Sequence, residues 1–339
     1  MTVDERVPLS SLTTFKSGGV TARVAHIRTV EDFDAARAMI TAEQLPFYAL
    51  GEGSNVLPSD DGYDGLIVKL EIPGMEFSVE GDTVRATCGA GVSWDVFVRE
   101  AAVRGLWGVE NLAGIPGTCG AAPVQNIGAY GAELSHVLHS VDVYDMRDGA
   151  LRTMFRDECE LAYRDSRFKR ESNLIIVRVT FALSRTAAPR IEYGDLLRAK
   201  EAGTDLSTPA AIGAAVRTIR ATKFPDLTVY GTAGSFFKNP VLSEQKYTEL
   251  TARYGAVPRF SNPSGVKVPL AFILDKALAL RGFRMGHAHL FGAQPLVLVL
   301  DPGGSSSEIE ALAREVETRV YDATGIRIER EVRSLPERA

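Results

Sequence analysis

The sequence has few of the features that mark secreted, membrane or metal-binding proteins. Its 339 residues include only three cysteines, Cys88, Cys119 and Cys159, an odd number without a metal-binding spacing, which is typical of a reducing compartment. No apolar run approaches the roughly 18–20 residues of a membrane-spanning helix. The first ten residues, MTVDERVPLS, lack the apolar core of a signal peptide. We therefore expect a cytoplasmic protein that does not bind a membrane.

Neither sign of charge dominates the sequence. The 38 basic and 43 acidic residues give a net charge of −5, so we expect no nucleic-acid partner, and an anionic ligand would need a local cluster of arginine and lysine. A content of 45% hydrophobic and 24% charged residues excludes coiled-coil, collagen-like and disordered chains. The length is sufficient for two or three domains.

Apolar periodicity indicates β-rich N-terminal parts and a more helical C-terminal part. Strands are predicted at residues 20–27, 47–50, 66–70, 76–79, 83–87, 137–144 and 174–183, with helices at 29–40, 93–104, 209–222, 243–254, 269–281 and 306–321. The last helix begins with the capping box Ser305-x-x-Glu308. Two apolar strands predicted at 295–300 and 326–332 flank it, which predicts a βαβ unit. We expect domains at residues 1–70, 71–205 and 206–339.

A short glycine loop follows the strand at 47–50. It reads Gly51-Glu52-Gly53-Ser54-Asn55 and is called loop A here. Loop A lacks the third glycine and the immediate helix of a Rossmann fingerprint, and it lacks the Gly-Lys-Ser/Thr ending of a P-loop. Its backbone N–H groups, with the side chains of Ser54 and Asn55, could still face a pyrophosphate. The alternative is a simple tight turn after a strand.

A second and longer glycine-rich segment, residues 113–131, is called loop B. It contains Ala-Gly-Ile-Pro-Gly-Thr-Cys-Gly at 113–120 and Pro-Val-Gln-Asn-Ile-Gly-Ala-Tyr-Gly at 123–131. Glycine allows close approach of the backbone to a large planar or phosphate-bearing ligand, and the amides of Gln125 and Asn126 can contact polar ring edges. The alternative is an Ω-loop packed on itself. We interpret Cys119 as a packing residue rather than a nucleophile.

Five blocks of sequence, in order along the chain, resemble the UDP-N-acetylenolpyruvoylglucosamine reductase family. They are Gly-Glu-Gly-Ser-Asn-Val at 51–56, Ile-Pro-Gly-Thr at 115–118 with the second half of loop B, Tyr-Arg-Asp-Ser at 163–166, Gly-Ser-Phe-Phe-Lys-Asn-Pro at 234–240 and Glu-Val-Arg at 331–333. The resemblance implies an α+β protein. Its fold would be a two-lobed vanillyl-alcohol-oxidase-type FAD-binding domain followed by a smaller α/β substrate-binding domain.

The resemblance also implies a noncovalently bound FAD and NADPH as hydride donor. The matching cofactor positions are Gly51, Gly53, Ser54, Asn55, Gly114, Ile115, Pro116, Gly117, Thr118, Gln125, Asn126, Gly128, Ala129 and Tyr130. No second dinucleotide motif is present, which agrees with a scheme in which NADPH and the substrate use one cleft in turn. His287 and His289 have no nearby acidic or cysteine partner in the sequence, so we expect no metal. We expect a monomer.

Three residues match the catalytic positions of the family. Hydride addition to an enolpyruvyl group builds negative charge beside its carboxylate, so the protein must stabilise an enolate and supply a proton. Ser235 matches the proton donor, and Arg164 matches the residue that stabilises the enolate. Glu331 matches an acidic residue that either orients the substrate or acts as an acid. Glu329 is the rival for that role, and Arg330 stands where the family usually has proline.

The remaining matches concern the UDP-sugar, the small-molecule substrate that the resemblance implies. The positions are Tyr163, Tyr193, Lys223, Lys238, Asn239 and Gln294. Tyr193 resembles a tyrosine that one subtype of the family carries on a loop over the diphosphate. The segment before Gln294 has about two more residues than the family pattern. Two other functions stay open: an oxidase or dehydrogenase of the same flavin fold, and a nucleotide-sugar-binding protein without catalysis.

Overall fold

The computed structural model describes residues 1–337, which fold into two compact units. Unit 1 contains residues 1–7, 21–52 and 64–221, and unit 2 contains residues 8–20, 53–63 and the chain from 222 onward. Each unit is therefore built from separated parts of the sequence. The predicted division at residues 70 and 205 stays a prediction. None of the helices in the described chain is long and apolar enough to cross a membrane.

Unit 1 contains two sheets. The four-stranded sheet has the order Thr2–Pro8, Val20–Ile27, Tyr63–Leu70 and Phe47–Leu50, and its last two strands are parallel. The five-stranded sheet is antiparallel, with the order Leu151–Phe155, Leu138–Asp145, Leu174–Ser184, Thr83–Gly89 and Met75–Glu80. A small hairpin pairs Gly128–Ala129 with Ala132–Glu133 inside loop B.

Helices cover the faces of these sheets. The helices of unit 1 are Glu31–Glu43, Trp94–Val103, Arg167–Arg170, Gly194–Glu201 and Pro209–Lys223, with 3-10 turns at Glu110–Leu112, Pro123–Gln125, Leu134–His136 and Arg156–Cys159. Aromatic packing fixes the second helix on the five-stranded sheet, because the ring centroid of Phe181 lies 4.6 Å from that of Phe97 and 5.7 Å from that of Trp94. The strands predicted between residues 20 and 183 are all present, with ends that differ by a few residues.

Unit 2 combines small sheets with three principal helical segments. Its strands are Val56–Pro58, Val241–Leu242, Phe260–Asn262, Gly265–Lys267, Arg284–Met285, Ala288–Leu290, Leu298–Leu300 and Arg333–Leu335. Its helical segments are Glu244–Tyr254, Leu270–Phe272 continued by the π-helix Ile273–Ala277, and Ser306–Thr324, with a 3-10 turn at Leu9–Ser11. The longest helix buries Ile309, Leu312, Val316 and Val320 in the core of this unit.

Two predictions for unit 2 are wrong. The helix predicted at 269–281 ends at Ala277, and most of it is π-helical. The predicted βαβ unit is absent, because Leu298–Leu300 pairs antiparallel with Ala288–Leu290 whereas Arg333–Leu335 pairs parallel with Val56–Pro58. The apolar residues Ile326 and Val332 are buried in the core, so their hydrophobicity reflects packing rather than a strand.

Candidate active site

Loop A and loop B come together in unit 1 at the end of the strand Phe47–Leu50. A Cβ atom added to Gly51 would lie 2.8 Å from the Oγ1 atom of Thr118, so only glycine allows this approach. Glu52 accepts a hydrogen bond from the backbone N–H of Gly117 at 2.9 Å. The amine of Lys69 donates to the carbonyl of Gly51, and burial lowers the pKa of this amine. The two predicted cofactor loops are thus joined by both backbone and side chains.

The first turn of loop B is held from the helix Pro209–Lys223. Gly114 and Gly117 have φ angles of 70° and 125°, a left-handed region that favours glycine. Asp95 accepts from the N–H of Gly114 at 2.7 Å and from Nε of Arg217 at 2.9 Å. Arg220 donates its Nε to the carbonyl of Gly114 at 2.9 Å. These two arginines were missed at the sequence level, although their spacing of three places them on one helix face.

Ile115 and Pro116 are half-buried between these glycines, and Thr118 is buried. The thiol of Cys119 is also buried, and burial raises its pKa, with the neighbouring thiol of Cys88 acting in the same direction. A buried thiol that stays protonated is a poor nucleophile. These observations agree with the interpretation of Cys119 as a packing residue.

Asn126 holds the second half of loop B in place. It is 1% exposed and has a φ of 45°. Its Nδ2 donates to Glu133 at 3.2 Å and to the carbonyl of Ala162 at 3.1 Å, and its Oδ1 accepts from the N–H of Ser135 at 2.9 Å. The side-chain amide is therefore engaged within the protein. Its predicted contact with a ring edge, and that of the half-buried Gln125, stay predictions.

Asn111 connects loop B with the segment that carries Tyr193. Its Nδ2 donates to the carbonyls of Tyr130 and Arg190, both at 2.7 Å. The rings of Tyr130 and Tyr193 meet edge to face, with centroids 5.4 Å apart, and burial raises the pKa of Tyr130 to about 12. Sequence reasoning missed Asn111, which is 1% exposed. The position of this side-chain amide just before loop B was the feature of the sequence that could have indicated its role.

Arg164 lies against loop B in unit 1. Its Nη2 donates to the carbonyl of Gly128 at 2.7 Å, and its guanidinium carbon lies 5.5 Å from the ring centroid of Tyr163. The φ of Arg164 is 54°, a conformation that a side-chain-bearing residue rarely adopts. Lys169 donates its amine to the carbonyl of Arg164 at 2.8 Å. Backbone and side chain of Arg164 are therefore both fixed, next to Ala129.

The end of loop A belongs to unit 2 and contacts the segment around Glu331. Gly53 has a φ of 65°, and a Cβ added there would lie 2.2 Å from the carbonyl oxygen of Leu12. Asn55 donates its Nδ2 to the carbonyl of Glu331 at 3.2 Å and accepts from the N–H of Arg333 at 3.1 Å. Asn55 was predicted to contact the cofactor, and the structure also gives it this link to Glu331. Ser54 is half-buried beside it.

Backbone pairing in unit 2 brings the segments of Ser235 and Glu331 together. Ser235 forms a β-bridge with Val297, and Phe237 forms one with Arg330. The N–H of Glu331 donates to the carbonyl of Phe236 at 2.8 Å. Sequence analysis placed these two residues in separate blocks almost a hundred positions apart. The structure brings their backbones together in one short antiparallel pair, in which Phe236, the residue after Ser235, accepts the hydrogen bond from Glu331.

The rival Glu329 points to solvent. Its side chain is 74% exposed and accepts from the amine of Lys238 at 2.9 Å. The residue Glu331 is half-buried, so the local geometry favours Glu331 over Glu329. Lys238, predicted to contact substrate phosphate, forms this ion pair in the structure.

The other predicted substrate residues of unit 2 are placed as follows. The Oδ1 of Asn239 accepts from the N–H of Leu270 at 2.9 Å and caps the helical segment that begins there. Gln294 lies in a turn, where its N–H donates to the carbonyl of Phe291 at 3.2 Å. Lys223 ends the helix Pro209–Lys223 and is half-buried. Their contacts with a substrate stay predictions.

The described residues contain no group of three or more side chains placed to hold a metal ion. His287 instead contacts Glu308 through its Nδ1 at 3.0 Å.

The residues of loops A and B fit a flavin dinucleotide. At Gly51 and Gly114 the backbone passes close to its neighbours: a Cβ at Gly51 would lie 2.8 Å from Oγ1 of Thr118, and one at Gly114 would lie 3.3 Å from Cγ of Arg217. Glycine allows the close backbone approach that a large planar or phosphate-bearing ligand requires. The Oδ1 of Asn111 is buried without a hydrogen-bond partner among the described residues, which leaves one polar acceptor beneath loop B.

Comparisons with known proteins agree with this description. Residues 21–154 match a family model described as "FAD binding domain", and residues 226–335 match "UDP-N-acetylenolpyruvoylglucosamine reductase, C-terminal domain". The reductase of that name from Ralstonia nicotianae is 39% identical over 97% of this chain and 98% of its own. The reductase from Neisseria gonorrhoeae is 36% identical over 96% of each chain.

A solved structure has the same fold. The crystal structure of UDP-N-acetylenolpyruvylglucosamine reductase from Thermus caldophilus aligns with a TM-score of 0.68 over 98% of this chain and 99% of its own, at 24% identity. Together with the match to an FAD-binding domain, this alignment confirms the predicted α+β fold class with its vanillyl-alcohol-oxidase-type flavin domain.

Proposed function

We propose that this chain, which belongs to the UDP-N-acetylenolpyruvoylglucosamine reductase family, reduces the enolpyruvyl group of UDP-N-acetylglucosamine enolpyruvate to give UDP-N-acetylmuramate in peptidoglycan precursor synthesis. The observation that carries the proposal is the pairing of the Ser235 and Glu331 segments within one unit. A proton donor and a carboxylate that act on one substrate must be held at a fixed separation. Backbone hydrogen bonds supply that separation here.

FAD and NADPH complete the reaction. Loops A and B would hold FAD noncovalently, with Gly51, Gly117 and Thr118 at the point where the loops meet. When bound there, FAD would supply the hydride chemistry between NADPH and the enolpyruvyl carbon. Asp95, Arg217 and Arg220 keep the first turn of loop B in its shape, because both the N–H and the carbonyl of Gly114 are bonded.

Enolate stabilisation, protonation of the carbon and orientation of the substrate are assigned to Arg164, Ser235 and Glu331. Arg164 stabilises the negative charge that develops on the enolate, since a guanidinium offers paired donors of fixed geometry. Ser235 gives the proton to the enolate carbon, which is basic enough to accept a proton from a hydroxyl. Glu331 orients the substrate or acts as an acid beside it. The engaged carbonyl of Gly128 supports a fixed position for Arg164.

The UDP portion would be bound by polar side chains. Tyr163, Tyr193, Lys223, Lys238, Asn239 and Gln294 are the residues that we assign to it. Tyr193 is 42% exposed and rests its ring against Tyr130, which supports a role at the surface of a ligand. The ion pair of Lys238 with Glu329 would exchange for a phosphate contact when the substrate binds.

The two half-reactions test this function in one cuvette. Purified protein with FAD receives one equivalent of NADPH without oxygen, and then one equivalent of the enolpyruvyl UDP-sugar. We expect the flavin absorbance to bleach and then recover. In Ser235→Ala, bleaching by NADPH should keep its rate while recovery slows by about 10²–10⁴-fold, as for loss of a general acid.

An exposed serine gives a matched control. Ser261→Ala, on the strand Phe260–Asn262, should leave both rates unchanged. Equal slowing of both half-reactions in Ser235→Ala would remove the proton-donor role. Bleaching without recovery in the parent would reject this substrate, and rapid reoxidation by oxygen would then favour the oxidase alternative. A protein with no flavin band after added FAD would be a binding protein instead.

Compartment and assembly complete the proposal. A cytoplasmic location is supported by the buried thiols of Cys88, Cys119 and Cys159, none of which forms a disulfide within residues 1–337. A monomer stays a prediction, and light scattering coupled to size-exclusion chromatography would measure the mass directly.

A further inference from the structure

Arg330 is held by an unusually complete set of contacts for a residue beside a catalytic position. Its Nε and Nη2 donate to the two carboxylate oxygens of Glu317 at 2.6 and 3.1 Å. Its Nη1 donates to Glu310 at 2.7 Å. The guanidinium carbon also lies 5.7 Å from the ring centroid of Phe236. Both carboxylates belong to the helix Ser306–Thr324, so Arg330 fastens its own segment to that helix.

Arg330 is linked to the segments of both residues that the proposed reaction needs. It directly precedes Glu331 in the chain, and its backbone forms a β-bridge with Phe237. Phe236, which contacts its guanidinium, directly follows Ser235 and accepts the N–H of Glu331. The side chain of Arg330 therefore contacts the helix Ser306–Thr324 and Phe236, while its backbone belongs to the segment that carries Glu331. A displacement of Arg330 would move Ser235 and Glu331 relative to each other.

The surroundings of Arg330 make these contacts strong. The side chain of Arg330 is 19% exposed and those of Glu310 and Glu317 are 15% and 31% exposed, so solvent and salt screen the pairs less than pairs on the surface. Burial alone would lower the pKa of Arg330, but the hydrogen bonds that Arg330 donates to Glu317 and Glu310 outweigh burial and keep that pKa above its ordinary value. Paired, bidentate arginine contacts also fix orientation as well as distance.

We propose that Arg330 is a positioning residue for proton transfer: with Glu310 and Glu317 it sets where the hydroxyl of Ser235 and the carboxylate of Glu331 stand relative to the substrate carbon. This inference rests on the proposed function. A misplacement of about 1 Å can cost about 10²-fold in rate, whereas flavin reduction by NADPH requires neither group. Loss of the contacts between Arg330 and the two glutamates should therefore slow flavin reoxidation by the UDP-sugar and leave flavin reduction by NADPH unchanged.

The test compares Arg330→Gln with the parent in both half-reactions. We expect flavin reoxidation by the enolpyruvyl UDP-sugar to slow by about 10- to 100-fold, while reduction by NADPH stays within about two-fold. The solvent deuterium isotope effect on reoxidation should rise, because a misplaced hydroxyl makes proton transfer more limiting. Arg330→Lys should restore part of the rate, since lysine keeps the charge but cannot bind Glu317 through two donors.

Arg314→Gln is the matched control. Arg314 pairs with the same Glu310 at 2.8 Å but is 69% exposed, so its loss should leave both half-reactions unchanged. If Arg330→Gln does not fold, Glu317→Gln removes one partner and should show the same selective slowing to a smaller degree.

The proposal is overturned if the folded variants lose thermal stability while both rates match the parent, or if both half-reactions slow equally. These results differ from failure of the proposed function, in which the parent itself does not reoxidise with the UDP-sugar.

Discussion

Gly128 shows how closely the protein surrounds the guanidinium that we assign to the enolate. A Cβ atom added to Gly128 would lie 3.0 Å from Nη1 of Arg164 and 2.9 Å from Cγ of Glu133. Contacts this short force a neighbour to move. The nearest neighbours are side-chain atoms of Glu133 and Arg164, and the backbone oxygen of Ala132 is farther away at 3.2 Å, so we expect a methyl group here to displace these side chains, with the guanidinium among them, rather than the backbone.

Gly128→Ala should therefore act through Arg164. We expect slower flavin reoxidation by the UDP-sugar, by about 10-fold or more for a displacement near 1 Å, with reduction by NADPH little changed. Stopped-flow absorbance of both half-reactions measures this. Arg170→Gln is the control, since this arginine of the same segment is exposed and pairs with Asp165 and Glu160. If the flavin of Gly128→Ala is reoxidised by the UDP-sugar at the same rate as in the parent, the result would contradict the role of Arg164.

At the same scale, the sequence identified residue types better than contacts. Loop glycines, Ser235 and Arg164 could be selected because motifs record which residues occur together. The partners of Asn126 could not, because Glu133, Ala162 and Ser135 reach it only after loop B has folded back on itself. Asn55 is similar, because its partner Glu331 lies 276 positions away.

Among the secondary-structure elements, the start of the helix Ser306–Thr324 combines a local signal with a distant one. The predicted capping box is confirmed: Ser305 accepts from the N–H of Glu308 at 3.3 Å, and Glu308 accepts from the N–H of Ser305 at 2.9 Å. Asp60 adds two acceptors, for the N–H groups of Ser306 and Ser307 at 2.9 and 2.8 Å. Three side chains thus satisfy the first turn, where N–H groups lack helical partners.

The pKa of Glu308 makes part of this stability depend on pH. The N–H groups of His287 and Ser305 lower that pKa from 4.5 to about 2. A lowered carboxyl pKa contributes stability that is present above pH 4.5 and is lost as the pH falls toward 2. Glu308→Gln should lower the free energy of unfolding by about 1 kcal/mol at pH 7, with the difference shrinking at acid pH.

Thermal unfolding followed by circular dichroism at pH 7 and pH 3 would measure this difference. Glu315→Gln, which removes an exposed pair with Arg319 on the same helix, should show no such trend. A difference between Glu308→Gln and the parent that is equal at both pH values would contradict the linkage.

Sequence patterns predicted these elements well wherever the cause was local. Alternating apolar residues gave the strands of the five-stranded sheet, and the capping box gave the start of the last helix. The predicted βαβ unit failed because pairing partners are set by tertiary contacts: Arg333–Leu335 pairs with Val56–Pro58, a partner that no local pattern indicates. The π-helix at Ile273–Ala277 has no established sequence signature either.

For the whole molecule, the parallel pair of Val56–Pro58 with Arg333–Leu335 completes unit 2. Leu335 is fully buried, and its carbonyl accepts from the N–H of Ser59 at 2.7 Å. Leu335→Ala should lower the free energy of unfolding by about 2–5 kcal/mol, as for buried leucines elsewhere. Leu151→Ala, on an exposed strand position of unit 1, should change it by less than about 0.5 kcal/mol.

Unfolding of both leucine variants and of the parent in guanidinium chloride measures these changes in the free energy of unfolding. A loss below about 1 kcal/mol in Leu335→Ala, well under the range for buried leucines, would mean that the terminal strand adds little to unit 2.

The same pair constrains the order in which the protein is completed during its synthesis. Chains generally begin to fold from their N-terminal side while the ribosome is still extending them. The strand Val56–Pro58 is synthesised long before its partner Arg333–Leu335, so it cannot pair until that later segment has been made. Glu331 is held by Asn55 in that late contact. A chain that ended at Val332 would therefore contain Arg164, Ser235 and Glu331 and still lack the strand that pairs with Val56–Pro58 beside Asn55.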